Sequence, residues 1–423
     1  MLYENVAGRT KEDLEKYGNV AAGYIGKHIV GEGEDAHLTT PLLLDFLRPH
    51  IMLITGKRGT GKSYSAGVIT EEMLQLPAEY KNKLSFVIVD TMGIFWGLKY
   101  PNKEQAGLLK EWKLTPKKFA DVNVYVPFNQ KKEFVKNKIP VDGGISILPS
   151  EFSAEEWLLA FDLKRISPIG ISLEKNLNQL IKTKKNFTID DLIRKIKNDS
   201  NSDSDTKKAL ENMLTVANQW GLFGTQGIDI EKIVSPGQVS VIDVSRLRST
   251  EAWSVRNLLV GIIARKIYQK RVLERRMEEM AKMKKTKSKE SSPVIWLVID
   301  EAHNFVPSEF ETASSEPILT IAKQGREPGV GLIVITQMPN KINQDILSQT
   351  DIVISHRLTS KSDLGALHSV MQSYVSEDLW KYLDALPRWP GAAIILDDNL
   401  EKIFTLEVRP RFSWHSGGTA GVI

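Results

Sequence analysis

Apolar residues along this chain gather in short continuous runs, separated by longer stretches of helix-compatible pattern. IMLITG (51–56), LSFVIVD (84–90), VNVYVP (122–127), VSVIDV (239–244), VIWLVID (294–300), GLIVIT (331–336) and DIVISHRL (351–358) are the clearest. Several are apolar at consecutive positions instead of alternating. A strand with one wet face alternates, whereas a strand covered by helices on both faces does not have to. With helical stretches between many of the runs, the pattern predicts an α/β fold around a largely parallel sheet. AAIILDD (392–398) and KIFTLEV (402–408), joined by a short turn, predict a terminal hairpin.

Two stretches break the rhythm. Residues 150–235 lack strand runs and read as an inserted helical subdomain. Ser153 ahead of two glutamates, and Thr188 three positions before Asp191, are helix-start signals. A long helical pattern runs from Glu251 to Met283 and trails into KMKKTKSKESS. That basic stretch reads as a solvated loop, with a nucleic-acid-contacting arm as the other option. The expected division is a short N-terminal segment (1–48) with a small hairpin around GYIGKHIV, a core in two parts (49–149 and 236–410), the insertion (150–235) and a tail (411–423).

Composition changes this picture little. The chain is 42% hydrophobic and 26% charged, which is ordinary for a globular protein, and its net charge of +4 permits a nucleic-acid partner without requiring one. There are no cysteines, so disulfides, thiolate metal sites and cysteine nucleophiles are excluded. The polar, acid-containing N-terminus does not read as a signal peptide, and no apolar run is long enough to span a membrane. A cytoplasmic protein is expected.

The chemistry starts at GKRGTGKS, which follows the strand IMLIT and precedes a helical pattern. It matches G-x-x-x-x-G-K-[ST] in full and in the right context. Gly56, Lys57, Arg58, Gly59, Thr60, Gly61, Lys62 and Ser63 should wrap a phosphate chain with backbone N–H groups, with Tyr64 following. Lys62 should reach the β- and γ-phosphates of ATP, and the Ser63 hydroxyl should hold Mg²⁺. Asp300 ends another apolar strand, as the second Mg²⁺-holding residue should. Glu301 is set to polarise the attacking water, unless it merely caps the next helix. Gln337, at the tip of GLIVIT, is a candidate sensor of the γ-phosphate, with a surface amide as the plain alternative. The fold expected is a RecA-like, additional-strand, catalytic-glutamate P-loop NTPase core.

Asp300-Glu301-Ala302-His303 spells the D-E-A-H of a large helicase superfamily, but the remainder of the chain does not follow it. Those helicases carry two RecA-like domains and keep P-loop and D-E-A-H close together. Here over half the chain separates Lys62 from Asp300, and the stretch after Asp300 is too short for a second motor domain. A single motor domain leaves the γ-phosphate open to solvent. A cation from a neighbouring subunit would close it, which implies a ring.

The order of motifs resembles the HerA/FtsK superfamily of ring-forming ATPases, in particular its archaeal HerA-like branch. GKRGTGKS, WLVIDEAHNFVP, the block 321–360 (IAKQGREPG through ISHRLTS) and the end 386–418 carry the resemblance, which covers roughly residues 24–418. It implies a homohexamer that hydrolyses ATP to translocate or unwind double-stranded DNA. It also implies that Arg326 enters the neighbour's nucleotide site, that Gln337 is the sensor, and that Arg357 lies near the phosphates in cis or in trans. The plain alternatives are a surface arginine for Arg326 and a sheet-edge ion pair for Arg357. Arg409, Arg411 and the segment His415 to Gly418 become candidates for contacting ATP, a disordered tail being the alternative. Relatives dock a nuclease through an N-terminal β-barrel; the stretch ahead of Gly56 is too short for one, which puts a nuclease partner in doubt. Two other functions stay open: a motor serving a conjugation or secretion apparatus, and a defence or scaffold subunit in which hydrolysis drives assembly.

Overall fold

The computed structural model describes residues 5–31, 35–247, 254–285, 292–358, 360–370 and 379–417. The greater part of the basic run after Met283, and Gly418 onward, lie outside them. Among the described residues, thirteen strands form one sheet: β1 (Asn5–Ala7), β2 (Ala22–Val30), β3 (His37–Asp45), β4 (Ile51–Thr55), β5 (Leu84–Asp90), β6 (Val122–Pro127), β7 (Gly143–Ile145), β8 (Val239–Asp243), β9 (Val294–Ile299), β10 (Val330–Thr336), β11 (Ile352–His356), β12 (Ala392–Asp397) and β13 (Lys402–Val408). Their order is β1-β3-β2-β13-β12-β11-β4-β10-β9-β5-β8-β6-β7.

From β11 to β7 every pairing is parallel. This is the region of the continuous apolar runs, and successive residues serve opposite faces. Met52 and Ile54 pack on one side with Ala66, Val68 and Ile69 of the helix Lys62–Gln75. Ile51 and Leu53 pack on the other, with Leu258 and Ile262 of the long helix Val255–Met283 and Ile318 and Ile321 of the helix Ser315–Gln324. Both sets need burial, so no alternation survives in the sequence.

The other end of the sheet is antiparallel. β12 and β13 form the expected hairpin. The hairpin anticipated around Gly23 is larger than GYIGKHIV alone: β2 pairs with β3 over nine-residue strands, and β2 joins the main sheet through β13. Residues 150–235 hold the helices Ala154–Ala160, Pro168–Thr183, Ile189–Lys197, Ser204–Asn218 and Ile230–Ile233. Ser153 and Thr188 cap as their spacing predicts. Each hydroxyl accepts the third backbone N–H of its helix, and Glu156 or Asp191 accepts the cap's own N–H in return. Among the described residues no helix is long and apolar enough to cross a membrane.

Candidate functional site

The P-loop leaves β4 at the carboxyl end of the parallel strands and feeds the helix Lys62–Gln75. Gly56, Gly59 and Gly61 have φ of 151°, 81° and 112°, a region that costs residues with a Cβ. Crowding adds a second reason at Gly56, where a Cβ would lie 2.6 Å from both the His356 Cβ and the Thr60 hydroxyl. The Lys62 ammonium donates to the Lys57 carbonyl at 3.1 Å. Burial pulls its pKa down, and the charges of Glu301 and Asp300 push it back up, so these three groups share one electrostatic environment.

β10 lies between β4 and β9, so an additional strand separates the P-loop strand from the strand that ends at Asp300. Asp300 is buried and accepts the Thr91 hydroxyl at 3.0 Å. Burial and the neighbouring Glu301 push its pKa up to about 6. Glu301 has a left-handed backbone, φ 48° and ψ 50°, which costs a residue with a Cβ about 1–2 kcal/mol. That turn swings its carboxylate back toward Lys62. Burial raises its pKa, while Lys62 and the Gln337 backbone amide lower it. Its Oε2 is buried without a hydrogen-bond partner, with His303 Nδ1 3.4 Å away. His303 Nδ1 also meets the Thr336 hydroxyl at 3.0 Å, which ties the turn after β9 to the tip of β10.

The structure thus brings Lys62, Asp300, Glu301 and Gln337 together, with Arg58 close enough to act on Glu301. The residues fit a metal–nucleotide group. An orphaned Glu301 oxygen and the buried Asp300 carboxylate lie within the electrostatic reach of the P-loop lysine, and Ser63 and Asp300 are hard oxygen donors of the kind Mg²⁺ takes. Arg357 follows β11 beside its own P-loop: its carbonyl accepts the Lys57 N–H at 3.0 Å, and its side chain is exposed. Arg326 is elsewhere. It precedes β10, at the amino end of the strands, and pairs with Asp351 at 2.9 Å. A seven-residue strand, roughly 20 Å, separates it from its own P-loop.

Asp90 does not offer a free carboxylate. It accepts four backbone N–H groups, from Met92, Gly93, Ile94 and Phe95, and so folds the loop after β5. Arg409 and Arg411 overturn an expectation. Both are fully buried and neutralise Glu71 and Glu72 on the P-loop helix, with Arg409 at 2.9 Å from Glu71 and 2.7 Å from Glu72. They support the helix and do not face a ligand. The residues that follow do reach the site. A cavity of about 340 Å³ beside the P-loop is lined by Tyr64, Ile94, Gln105, Pro410, His415 and Gly417. Tyr64 stands edge-on to His415, with ring centroids 5.2 Å apart, and burial holds His415 neutral with a pKa of about 4.

Sequence reasoning missed His356. It is buried under Gly56 and Gly61 at the end of β11. Nδ1 donates to the Ala392 carbonyl at 3.1 Å, which leaves Nε2 to accept the Ser65 hydroxyl at 2.8 Å. The available signal was its position, since it ends a strand directly beside the P-loop strand.

Strand order and site together define a P-loop ATPase core of the additional-strand class. The family model for "Helicase HerA, central domain" matches residues 24–267, and the chain belongs to that family. The DNA double-strand break repair helicase HerA of Pyrococcus furiosus is 30% identical over 38% of this chain and 31% of its own length. The probable HerA of Methanocaldococcus jannaschii is 23% identical over 78% of this chain and 65% of its own. The chain therefore spans less than two thirds of either relative. Among solved structures, VirB4 of Thermoanaerobacter pseudethanolicus has the same fold, with a TM-score of 0.54 and 13% identity over 90% of this chain and 96% of that one.

Proposed function

We propose that this chain is an ATP-hydrolysing ring motor, a homohexamer, that translocates along or unwinds double-stranded DNA. Lys62 binds the β- and γ-phosphates, and Ser63 and Asp300 hold Mg²⁺, which supplies charge neutralisation on the phosphate oxygens when bound. Glu301 orients and deprotonates the attacking water; its raised pKa makes it a better base than an ordinary carboxylate. Gln337 senses the γ-phosphate from the tip of β10. Arg357 serves its own subunit, because its backbone is hydrogen-bonded to its own P-loop. Arg326 serves the neighbour.

The observation that carries this reading is the separation of Arg326 from its own P-loop along the length of β10. A cation that far away can stabilise the γ-phosphate transition state only in another subunit. The family membership adds the kind of work: relatives carry the name of DNA double-strand break repair helicases. The basic balance of the chain suits phosphate contacts that ignore base sequence.

Native mass measurement and ATP turnover, with and without duplex DNA at low and high salt, test the reading. A hexamer whose turnover rises at least tenfold with duplex, and loses that gain as salt rises, supports it. A DNA-insensitive hexamer points instead to an assembly-driving or secretion ATPase, and a fully active monomer sinks the ring.

A further inference from the structure

Arg326 is held by two independent devices. The first fixes its loop. Gly329 adopts φ +91° and returns its N–H to the carbonyls of Gly325 and Arg326, at 3.1 and 3.2 Å. The buried Arg271 on the long helix donates to the Pro328 carbonyl at 2.9 Å from the other side. The second fixes the guanidinium. Asp351, just ahead of β11, points one carboxylate oxygen at Arg326, 2.9 Å away. That carboxylate is itself immobile. It accepts the Ile51 N–H at 2.9 Å, the His50 ring at 2.7 Å and the Asn399 amide at 3.3 Å, and its side chain is 6% exposed against 50% for Arg326. Behind it, His50 reaches Asp45 at 3.2 Å, and Asp45 in turn pairs with the buried Arg9. A half-exposed arginine on an ordinary surface pair keeps its rotamers. This one rests on an anchor held by three other donors.

We infer that Asp351 is a positioning residue for Arg326, holding its guanidinium pre-aimed for the nucleotide of the adjoining subunit. This rests on the assignment of Arg326 to a neighbour's site. The gain is entropic: an arginine already immobilised loses little freedom when the γ-phosphate arrives. Asp351 also leaves the guanidinium's outer N–H groups free to donate, since it faces a single carboxylate oxygen.

The test uses the full chain in its assembled form. Asp351→Asn should lower kcat about tenfold and leave the KM for ATP within about twofold, because the P-loop of the same subunit is untouched. In an Arg326→Lys background, which keeps a cation but not the guanidinium that Asp351 holds, the same change should do little further to kcat. A merely structural role predicts equal losses in both backgrounds, and that outcome overturns the inference. Arg326→Ala with full turnover removes the trans assignment itself; inactive Arg326→Ala beside fully active Asp351→Asn removes only the role of Asp351. Asp351 is buried, so its variant can fail to fold, and a second measurement covers that case. Arg326→Gln alters a half-exposed side chain, and the His50 ring can be titrated by NMR. With the competing cation gone from Asp351, the His50 pKa should rise; an unmoved titration shows that Arg326 does not rest on Asp351 in solution and overturns the proposal.

Discussion

Two buried histidines at opposite ends of β11 carry opposite charge states. Burial pushes the His50 pKa down, but Asp351 and Asp45 push it up further, to about 9. Burial, opposed by the Ala392 hydrogen bond and aided by the Lys62 charge, takes His356 down to about 4. An unfolded histidine titrates near 6.5. The folded state therefore binds the His50 proton more tightly than the unfolded chain does. That stabilisation is complete below pH 6.5 and is lost as pH climbs through 9. His356 works the other way: the unfolded chain binds its proton more tightly, so stability falls as pH drops from 6.5 toward 4. Each limb is about 3 kcal/mol. Denaturant unfolding across pH should show His50→Gln losing part of the parent's alkaline decline and His356→Gln part of its acid decline. An unchanged acid limb in His356→Gln contradicts the neutral, hydrogen-bonded ring described here. The grouping of Lys62 with Asp300 and Glu301 was legible because each belongs to a recognisable motif at the end of an apolar strand. His356 was not legible, because its task depends on two glycines and a serine across the sheet, nearly three hundred positions earlier.

At the scale of elements, the segment Arg409–Ser413 behaves as a clamp on the P-loop helix. Glu71 accepts Arg409, Arg411, the N–H groups of Phe412 and Ser413, and the Ser413 hydroxyl. Gly67 makes room, since a Cβ there would sit 2.6 Å from the Arg411 guanidinium. Removing one side of a buried ion pair strands the other. Arg409→Met should cost about 3–5 kcal/mol and weaken ATP binding, whereas Arg409→Met combined with Glu72→Met, which keeps Glu71 for Arg411, should recover part of the stability. Calorimetry and nucleotide titration on both variants check this; a single variant as stable as the parent removes the clamp. In sequence, Glu71 and Glu72 look like ordinary helix acids, which hides the arrangement. The parallel strands were legible from their apolar runs, and the antiparallel edge was less so. β2 carries two register irregularities that break its alternation. β3 contains Pro41, which argues against a strand until one sees that, among the described residues, β1 pairs with Leu42, Leu43 and Leu44 and not with Pro41.

At the scale of the whole molecule, one subunit carries both halves of the proposed ATP site, at opposite ends of its strands. Two inactive proteins should then rescue each other. Lys62→Ala lacks the P-loop lysine but keeps Arg326; Arg326→Ala keeps the P-loop but lacks the arginine. Mixed one to one in a ring, roughly a quarter of interfaces pair an intact P-loop with an intact arginine. Turnover should reappear on mixing and be absent from either protein alone. If Arg326 acted within its own chain, mixing would restore nothing.

The clamp on the P-loop helix also has a consequence for how the protein is made. A ribosome synthesises Glu71 and Glu72 early and their countercharges, Arg409 and Arg411, more than three hundred residues later. Until the later segment leaves the exit tunnel, two glutamates that belong in the interior must stay hydrated, and the helix behind the phosphate loop cannot seat on the sheet. The grip on nucleotide is thereby tied to synthesis of the Arg409–Ser413 segment. A product that stops short of that segment carries every residue of GKRGTGKS and still lacks the support that shapes it.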